Sequence, residues 1–453
     1  MPQQDIPLAR TLGLASATAL GLGAMIGAGI FVLTGMGAGE AGPALILAFA
    51  LNGVIAIIVG ACYAELAAML PRDGGAYIWA KPAFGSLLGF SAGWMSWFAQ
   101  AIACALYATA FGSFGVELIN AIAGFETATN LHWRVFISMG LLGSLLWVNY
   151  SGAGDTGRLE IVITALKIAI LIVVIAGGFA AISGNSDPVS AYQPFMPNGW
   201  SGLIGAMGLT FVAFEGYEVI VQTAEETKHP SRTIPRAIML SIGVAVTIYL
   251  LVAIVLFGGI NVPDGSPVYQ FLDQLGELGI MEAAGQFIPY GKQVLLVAGL
   301  ASTASALNAT IYGSTRIAYA LGRDGDLPVI FAKVHPAHRT PYRAVQITGM
   351  IMLVATLTLP IKDIAVVADI MFLLVFMLVC ATVIRLRKLW PDKYRPFRVA
   401  LVPILPIIGI IAGLILSVGL VRISVVAWLT AAGWMVFGFV VHKLKPSFLS
   451  VTR

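Results

Sequence analysis

Long apolar runs separated by short polar breaks set the pattern of this chain. A membrane-crossing helix needs about 20 mostly apolar residues. Twelve such runs can be marked, at 11–36, 43–69, 86–119, 134–151, 158–182, 201–223, 235–259, 290–321, 343–360, 364–388, 400–420 and 424–442. Most connections are short. The longest on the less basic side, 260–289, holds Pro263, Asp264, Gly265 and a weakly amphipathic stretch. The pattern predicts an all-α polytopic membrane protein with no soluble domain.

Two spans break the pattern. The first carries "GLGAMIGAGI" at 21–30, four glycines in ten residues, although each glycine costs a helix about 1 kcal/mol relative to alanine. The sixth carries Phe214-Glu215-Gly216-Tyr217-Glu218, two carboxylates and a glycine inside an apolar run. If spans 1–5 and 6–10 are two repeats, these interruptions occupy corresponding places. Paired broken helices of that kind point to the binding site of an inverted-repeat transporter.

Composition agrees with a membrane protein. The chain of 453 residues is 58% hydrophobic and 11% charged, with mean hydropathy +0.90, against roughly 25% charged residues in a soluble domain. The net charge of +4 says less than its distribution. With the N-terminus inside, 21 of the 26 lysines and arginines fall on the cytoplasmic side and four (Arg134, Lys292, Lys362, Arg422) on the other. Basic residues concentrate on the cytoplasmic side of membrane proteins, so both termini are expected there. No cleavable signal peptide is read: residues 1–10 are polar and the first apolar run is long enough to span. Cys62, Cys104 and Cys380 lie in apolar runs, and the five histidines read as connecting-segment residues. No disulfide framework, metal site or cofactor is expected.

The remaining basic residue is Lys167, in "RLEIVITALKIAILIVVIAGG". Nine residues after Arg158, it lies about 14 Å along a helix, near the middle of a core about 30 Å thick. Its stem is too short to snorkel to either interface, so it must face carbonyls, a carboxylate or water. Burial favours the neutral amine, which suits loading and releasing a proton; a permanently charged strut is the alternative.

The other intramembrane polar groups divide similarly. At the glycine run, backbone groups freed by a break need partners at membrane depth. The N–H groups opening the second half-helix suit an anion, and the carbonyls ending the first half suit a cation. An α-amino acid offers both. Close helix packing through small residues is the plainer reading. Glu215 and Glu218 are costly in a bilayer unless paired, hydrated or protonated. One can face a substrate while the other titrates, or either can cap backbone N–H groups. Ser302, Thr303, Ser305 and Asn308 form a polar patch on the eighth span, where hydroxyls also serve as interhelical glue. Asp369 is isolated and has no assigned role.

Four stretches together resemble the amino acid–polyamine–organocation superfamily: "GLGAMIGAGIFVLTG" at 21–35, "AELAAMLPRDGGAYIWAKPAFG" at 64–85, "FVAFEGYEVIVQTAEETKHPSRTIPRAI" at 211–238 and "STASALNATIYGSTRIAYALGRDGDLP" at 302–328. The likeness covers nearly the whole chain. It implies a leucine-transporter-like five-plus-five inverted repeat with two further helices: 1–182 and 183–398 as the repeats, 399–453 as the last two helices and tail. It also implies secondary transport of amino acids or related amines by alternating access. By the resemblance, Gly27, Ala28, Gly29 and Ile30 form the carboxylate cradle. Carbonyls of Ala24, Met25, Ile26, Phe214 and Glu215 accept the α-amino group, and Gly216 is the second break. Glu218 matches a proton-sensing glutamate of related antiporters. Glu215 matches an aspartate that faces the substrate side chain in some cationic amino acid exchangers. Lys167 matches a lysine of a sodium-independent, proton-coupled subgroup. There the ammonium takes the place of the second sodium ion, near the Gly23 carbonyl and the hydroxyls corresponding to Ser302 and Ser305.

The resulting expectation is a proton-coupled importer of the cell membrane, with a bilayer, a proton and an amino acid or amine as partners. No nucleic acid or obligatory protein partner is expected. Two glutamates at the second break keep open a sodium-independent exchanger of cationic amino acids or polyamines. A non-transporting sensor lacks a signalling domain. An enzyme lacks a metal cluster, a nucleophile–base pair or a phosphate loop.

Overall fold

The computed structural model describes residues 10–72, 74–123, 131–152, 156–185, 187–262 and 265–450, without the side chains of 123, 156–159 and 445–450. Pro263, Asp264 and Arg453, and the side chains of Arg158 and Lys445, lie outside the described residues.

The named elements are all helical. In order they are α1 (Leu14–Met25), α2 (Ala28–Ala41), α3 (Leu45–Met69), α4 (Ala76–Phe84), α5 (Ser86–Ala123), α6 (Leu131–Ser151), α7 (Thr156–Gly184), α8 (Gly199–Thr210), α9 (Tyr217–Val221), α10 (Pro230–Gly259), α11 (Val268–Leu275), α12 (Gly279–Phe287), α13 (Gly291–Arg323), α14 (Tyr342–Thr358), α15 (Ile361–Leu389), α16 (Ile404–Ile423) and α17 (Val425–Ser450). Among the described residues, ten intervals are long and apolar enough to cross a membrane. The first, Leu14–Met69, contains two passes, α1–α2 and α3, and Tyr342–Thr358 is a shorter apolar helix. The twelve passes read from the sequence are therefore all helical, and the first and sixth are broken.

Two boundaries moved where prolines set the start of a helix. The seventh pass begins at Pro230 rather than 235, because proline suits the first helical position, where its missing N–H is no loss. The eleventh begins at Ile404 rather than 400, after a turn that ends at Pro403. The segment 260–289 folds into α11 and α12, which pack on α2. His132 opens α6 and His442 lies on α17, so these two histidines are helical, not in connections.

The interior is built around α5, which packs against α13, α15, α6 and α4, and around α1, which touches α10, α7, α9 and α13. Large apolar side chains also cover the outside, among them Phe136, Val162, Ile411 and Leu429. In water such a surface would aggregate; against lipid it is the matched solvent.

The two ends differ. At one end, all four basic residues of the sparser set are paired: Arg134 with Glu277, Lys292 with Glu117 and Glu282, and Lys362 and Arg422 both with Glu40. There α2 lies against the turn between α11 and α12, and a β-carbon on Gly35 or Gly39 would strike Gly276 or Asp273. At the other end Leu12 pairs through its backbone with Glu226 and Lys228, at 3.0 and 2.8 Å. There Lys81 Nζ and Tyr77 Oη converge on Asp326 Oδ2 at 2.7 and 2.6 Å, and burial together with Asp326 pushes the Tyr77 phenol well above its ordinary range.

Candidate functional site: two facing helix breaks

The first break falls at Ile26–Gly27, where α1 stops and α2 restarts. The second runs through a 3-10 turn, Phe211–Phe214, to Glu215 and Gly216 before α9. The two breaks lock into each other. A β-carbon on Gly29 would lie 2.5 Å from Ala213 Cα, and one on Gly216 would lie 2.7 Å from Met25 N. Gly216 also has φ +121°, a region that side-chain-bearing residues avoid. These glycines therefore serve close backbone approach, and the positive φ at Gly216 needs one. Tyr249 Oη, 2.7 Å from Met25 O and 2.8 Å from Ala213 O, ties the breaks together with a single hydroxyl.

Lys167 reaches the first break. Only 1% exposed, it donates from Nζ to Gly23 O at 2.8 Å and to Ile26 O at 3.0 Å. Ser302 Oγ also donates to Ile26 O. One lysine thus joins α7 to α1, and the shared carbonyl brings in α13. Ser305 goes elsewhere: its Oγ donates to Glu160 Oε1 at 2.6 Å. Of the two hydroxyls expected near the ammonium, Ser302 shares an acceptor with it and Ser305 is bonded to Glu160. The arrangement also bears on the expected amine acceptors. Ile26 O already accepts from two donors, one per lone pair, and Met25 O is within reach of Tyr249, so Ile26 has no lone pair left for a substrate amine in this conformation. The first turn of α2, including Ala28, Gly29 and Ile30, has no side-chain cap. A β-carbon on Gly27 would touch Ala306 and Tyr107, which marks α5 and α13 as the walls beside that turn. Ala24 packs with Val219 and Ala309.

The second break is arranged differently. Glu218 Oε2 accepts the Gly216 N–H at 2.8 Å, so the structural cap weighed from the sequence is formed. Glu215 is 2% exposed, and neither of its carboxylate oxygens has a hydrogen-bond partner. Asp369 of α15, fully buried, is in the same state, with the Val212 N–H close by but outside bonding geometry. Asp369 and Glu218 both act electrostatically on Glu215. Buried polar groups normally have partners, and Glu65 does: it is bound by Arg387 at 2.9 and 2.6 Å and by the Val399 N–H at 2.7 Å. The contrast marks the Glu215–Asp369 pair as unusual. Asp369 had no sequence signal beyond being an acid in an apolar span, because its neighbour lies more than 150 residues away in the chain.

A cavity of about 380 Å³ lies beside the breaks, lined by residues that include Leu20, Glu160, Val219, Asn308, Tyr312 and Arg339. His338 and Arg339, also in its lining, are exposed, so it communicates with the end of the bundle that carries Leu12. Glu160 was passed over in the sequence because it sits near the start of its span, where an acid reads as solvated.

The sequence profile of the amino acid permease family matches residues 12–441. The branched-chain amino acid permease BcaP of Bacillus subtilis is 30% identical over 449 residues, covering 96% of this chain and 93% of that protein. The methylthioribose transporter of the same bacterium is 31% identical, with 96% and 93% covered. Cationic amino acid transporter 4 of mouse is 29% identical over 84% of this chain and 60% of its own length.

Proposed function

Since the chain belongs to the amino acid permease family, and is a membrane transporter rather than an enzyme, we propose that it imports an amino acid or related amine together with a proton, without sodium. The observation that carries the coupling is the pair of bonds from Lys167 Nζ to Gly23 O and Ile26 O. An ammonium there does what a bound alkali cation would do: it satisfies carbonyls freed by a broken helix and holds three helices together. Loss of its proton removes the charge from those bonds and loosens the first break. The basic-residue bias supports cytoplasmic termini, and on that orientation the 380 Å³ cavity opens to the cytoplasm and the ion pairs of Glu40, Glu277 and Lys292 lie at the other end. The division into repeats 1–182 and 183–398, with 399–453 appended, belongs to the same reading; breaks in the first and sixth passes support it. Substrate carboxylate at Gly27–Ile30, with the amine toward Ala24, Phe214 and Glu215, is the corresponding pose.

The test is uptake of labelled amino acids into proteoliposomes under an imposed pH gradient, with no sodium. Native protein should concentrate substrate, and Lys167→Ala should lose gradient-driven uptake by tenfold or more, about 1.4 kcal/mol in barrier. Unchanged uptake in the variant, or a strict sodium requirement, overturns the reading.

A second reading, exchange of cationic amino acids or polyamines, is favoured by one observation: Glu215 and Asp369 are buried without partners, as a site awaiting a positive group would be. Counterflow that needs internal substrate and ignores the pH gradient would select it.

A further inference from the structure

We propose that Glu160 is the proton acceptor through which Lys167 discharges into the cavity. This rests on the proton-coupled reading and adds a residue to it. Lys167 is buried, does not line the cavity, and donates to two carbonyls, which cannot take a proton. An ammonium so held needs a basic group nearby to lose its charge. Glu160 supplies one. It lies seven residues earlier, two helical turns, on the same face of α7, and a helical side chain leans toward the N-terminus, so Lys167 leans toward Glu160. The two meet at Gly23: Lys167 holds its carbonyl, and the Glu160 carboxylate fills the space where a β-carbon would stand. Gly23 is thus the gap that admits Glu160 to the break. Ser305 fixes the carboxylate at 2.6 Å, and Thr164, between the two on α7, lies 3.4 Å from it. Unlike Lys167, Glu160 lines the cavity.

The neighbouring charges leave this pairing distinct. Of the elements packed on α7, α1 has no ionisable side chain. From α13, Arg316 stacks over Tyr312, whose hydroxyl is held by Glu226 at 2.7 Å. From α10, Tyr249 is held at the breaks, and Arg232 and Arg236 are exposed at the end of the bundle. Glu282 of α12 is paired with Lys292. His338 and Arg339 line the outer cavity. Lys167 and Glu160 form no ion pair with each other, so the step runs through one intervening water: an N–H bond of the ammonium breaks, the water takes that proton and gives up another, and an O–H bond forms on Glu160. The neutral amine stays on α7, and the carboxylic acid passes its proton to cavity water. Ile26 O keeps Ser302, while Gly23 O loses its charged donor.

Glu160→Gln retains an oxygen for Ser305 but cannot accept the proton. In proteoliposomes it should lower gradient-driven uptake about tenfold and move the pH profile of uptake about one unit to the acid side, because the protonated amine loses a nearby negative charge. Counterflow, which moves no net proton, should fall far less. Where Glu160→Gln does not reconstitute, Glu160→Asp should give a smaller shift in the same direction. An unmoved pH profile, or equal loss in both assays, overturns the inference. Absence of gradient-driven uptake in the native chain overturns the coupling reading first and this one with it.

Discussion

The two helix breaks face each other across a few ångströms, yet they treat their polar groups in opposite ways. At the first, donors from the protein itself reach the freed carbonyls: Lys167 takes Gly23 and Ile26, Ser302 shares Ile26, and Tyr249 reaches Met25. At the second, Glu218 caps Gly216, while Glu215 and Asp369 are left with four unpartnered oxygens at under 3% exposure. An internal cation supplies the carbonyls of Gly23 and Ile26 at the first break. The second retains polar groups that nothing in the described residues satisfies, and a buried unmet acceptor is costly. On the proposed reading, the first break is the coupling element that cycles a proton, and the second is where a ligand's donor is recognised.

The contrast can be attacked from both sides. The largest effect should come from Gly216→Ala. It combines a β-carbon 2.7 Å from Met25 N with φ +121°, and overpacking plus backbone strain cost about 2–4 kcal/mol or more. Thermal unfolding in detergent should show a large drop, whereas Gly13→Ala, with nothing within 4 Å, should change little. Equal midpoints would mean that the breaks do not interlock. Next comes Glu215→Gln. Apparent affinity for basic substrates should weaken about tenfold, the scale of one charge-assisted bond, with small neutral substrates affected less than threefold. An equal loss for both classes would make Glu215 structural. The smallest effect should be that of Ser302→Ala. Lys167 still holds Ile26 O at 3.0 Å, so one lost hydrogen bond should lower stability by about 0.5–1.5 kcal/mol and leave the pH dependence of uptake in place. Loss of pH dependence in this variant would move the coupling role from the lysine to the hydroxyl.

Much of the fold was legible because the bilayer imposes one simple requirement. A run of about 20 apolar residues can be counted without knowing what it packs against. The start of α10 falls five residues late in the sequence pattern because the apolar run begins at 235, whereas the helix begins at Pro230. Lys167 and the glycine run were legible for the same reason, since a charge or a poor helix former at membrane depth violates the local rule and demands an account. Asp369 and Glu160 were not. Each becomes informative only beside its neighbour, Glu215 for one and Lys167 with Gly23 for the other.

By itself, then, the sequence determined where helices cross the membrane, which two of them break and which cation lies at depth, because these follow from local composition against a uniform apolar solvent. Tertiary structure alone decided the partners. A carbonyl has two lone pairs, and whether Ile26 gives them to a substrate or to Lys167 and Ser302 depends on which side chains from α7 and α13 arrive at 3 Å. That arrival is set by helix packing across more than 140 residues of chain, and by a glycine at position 23 that leaves room for Glu160 beside it.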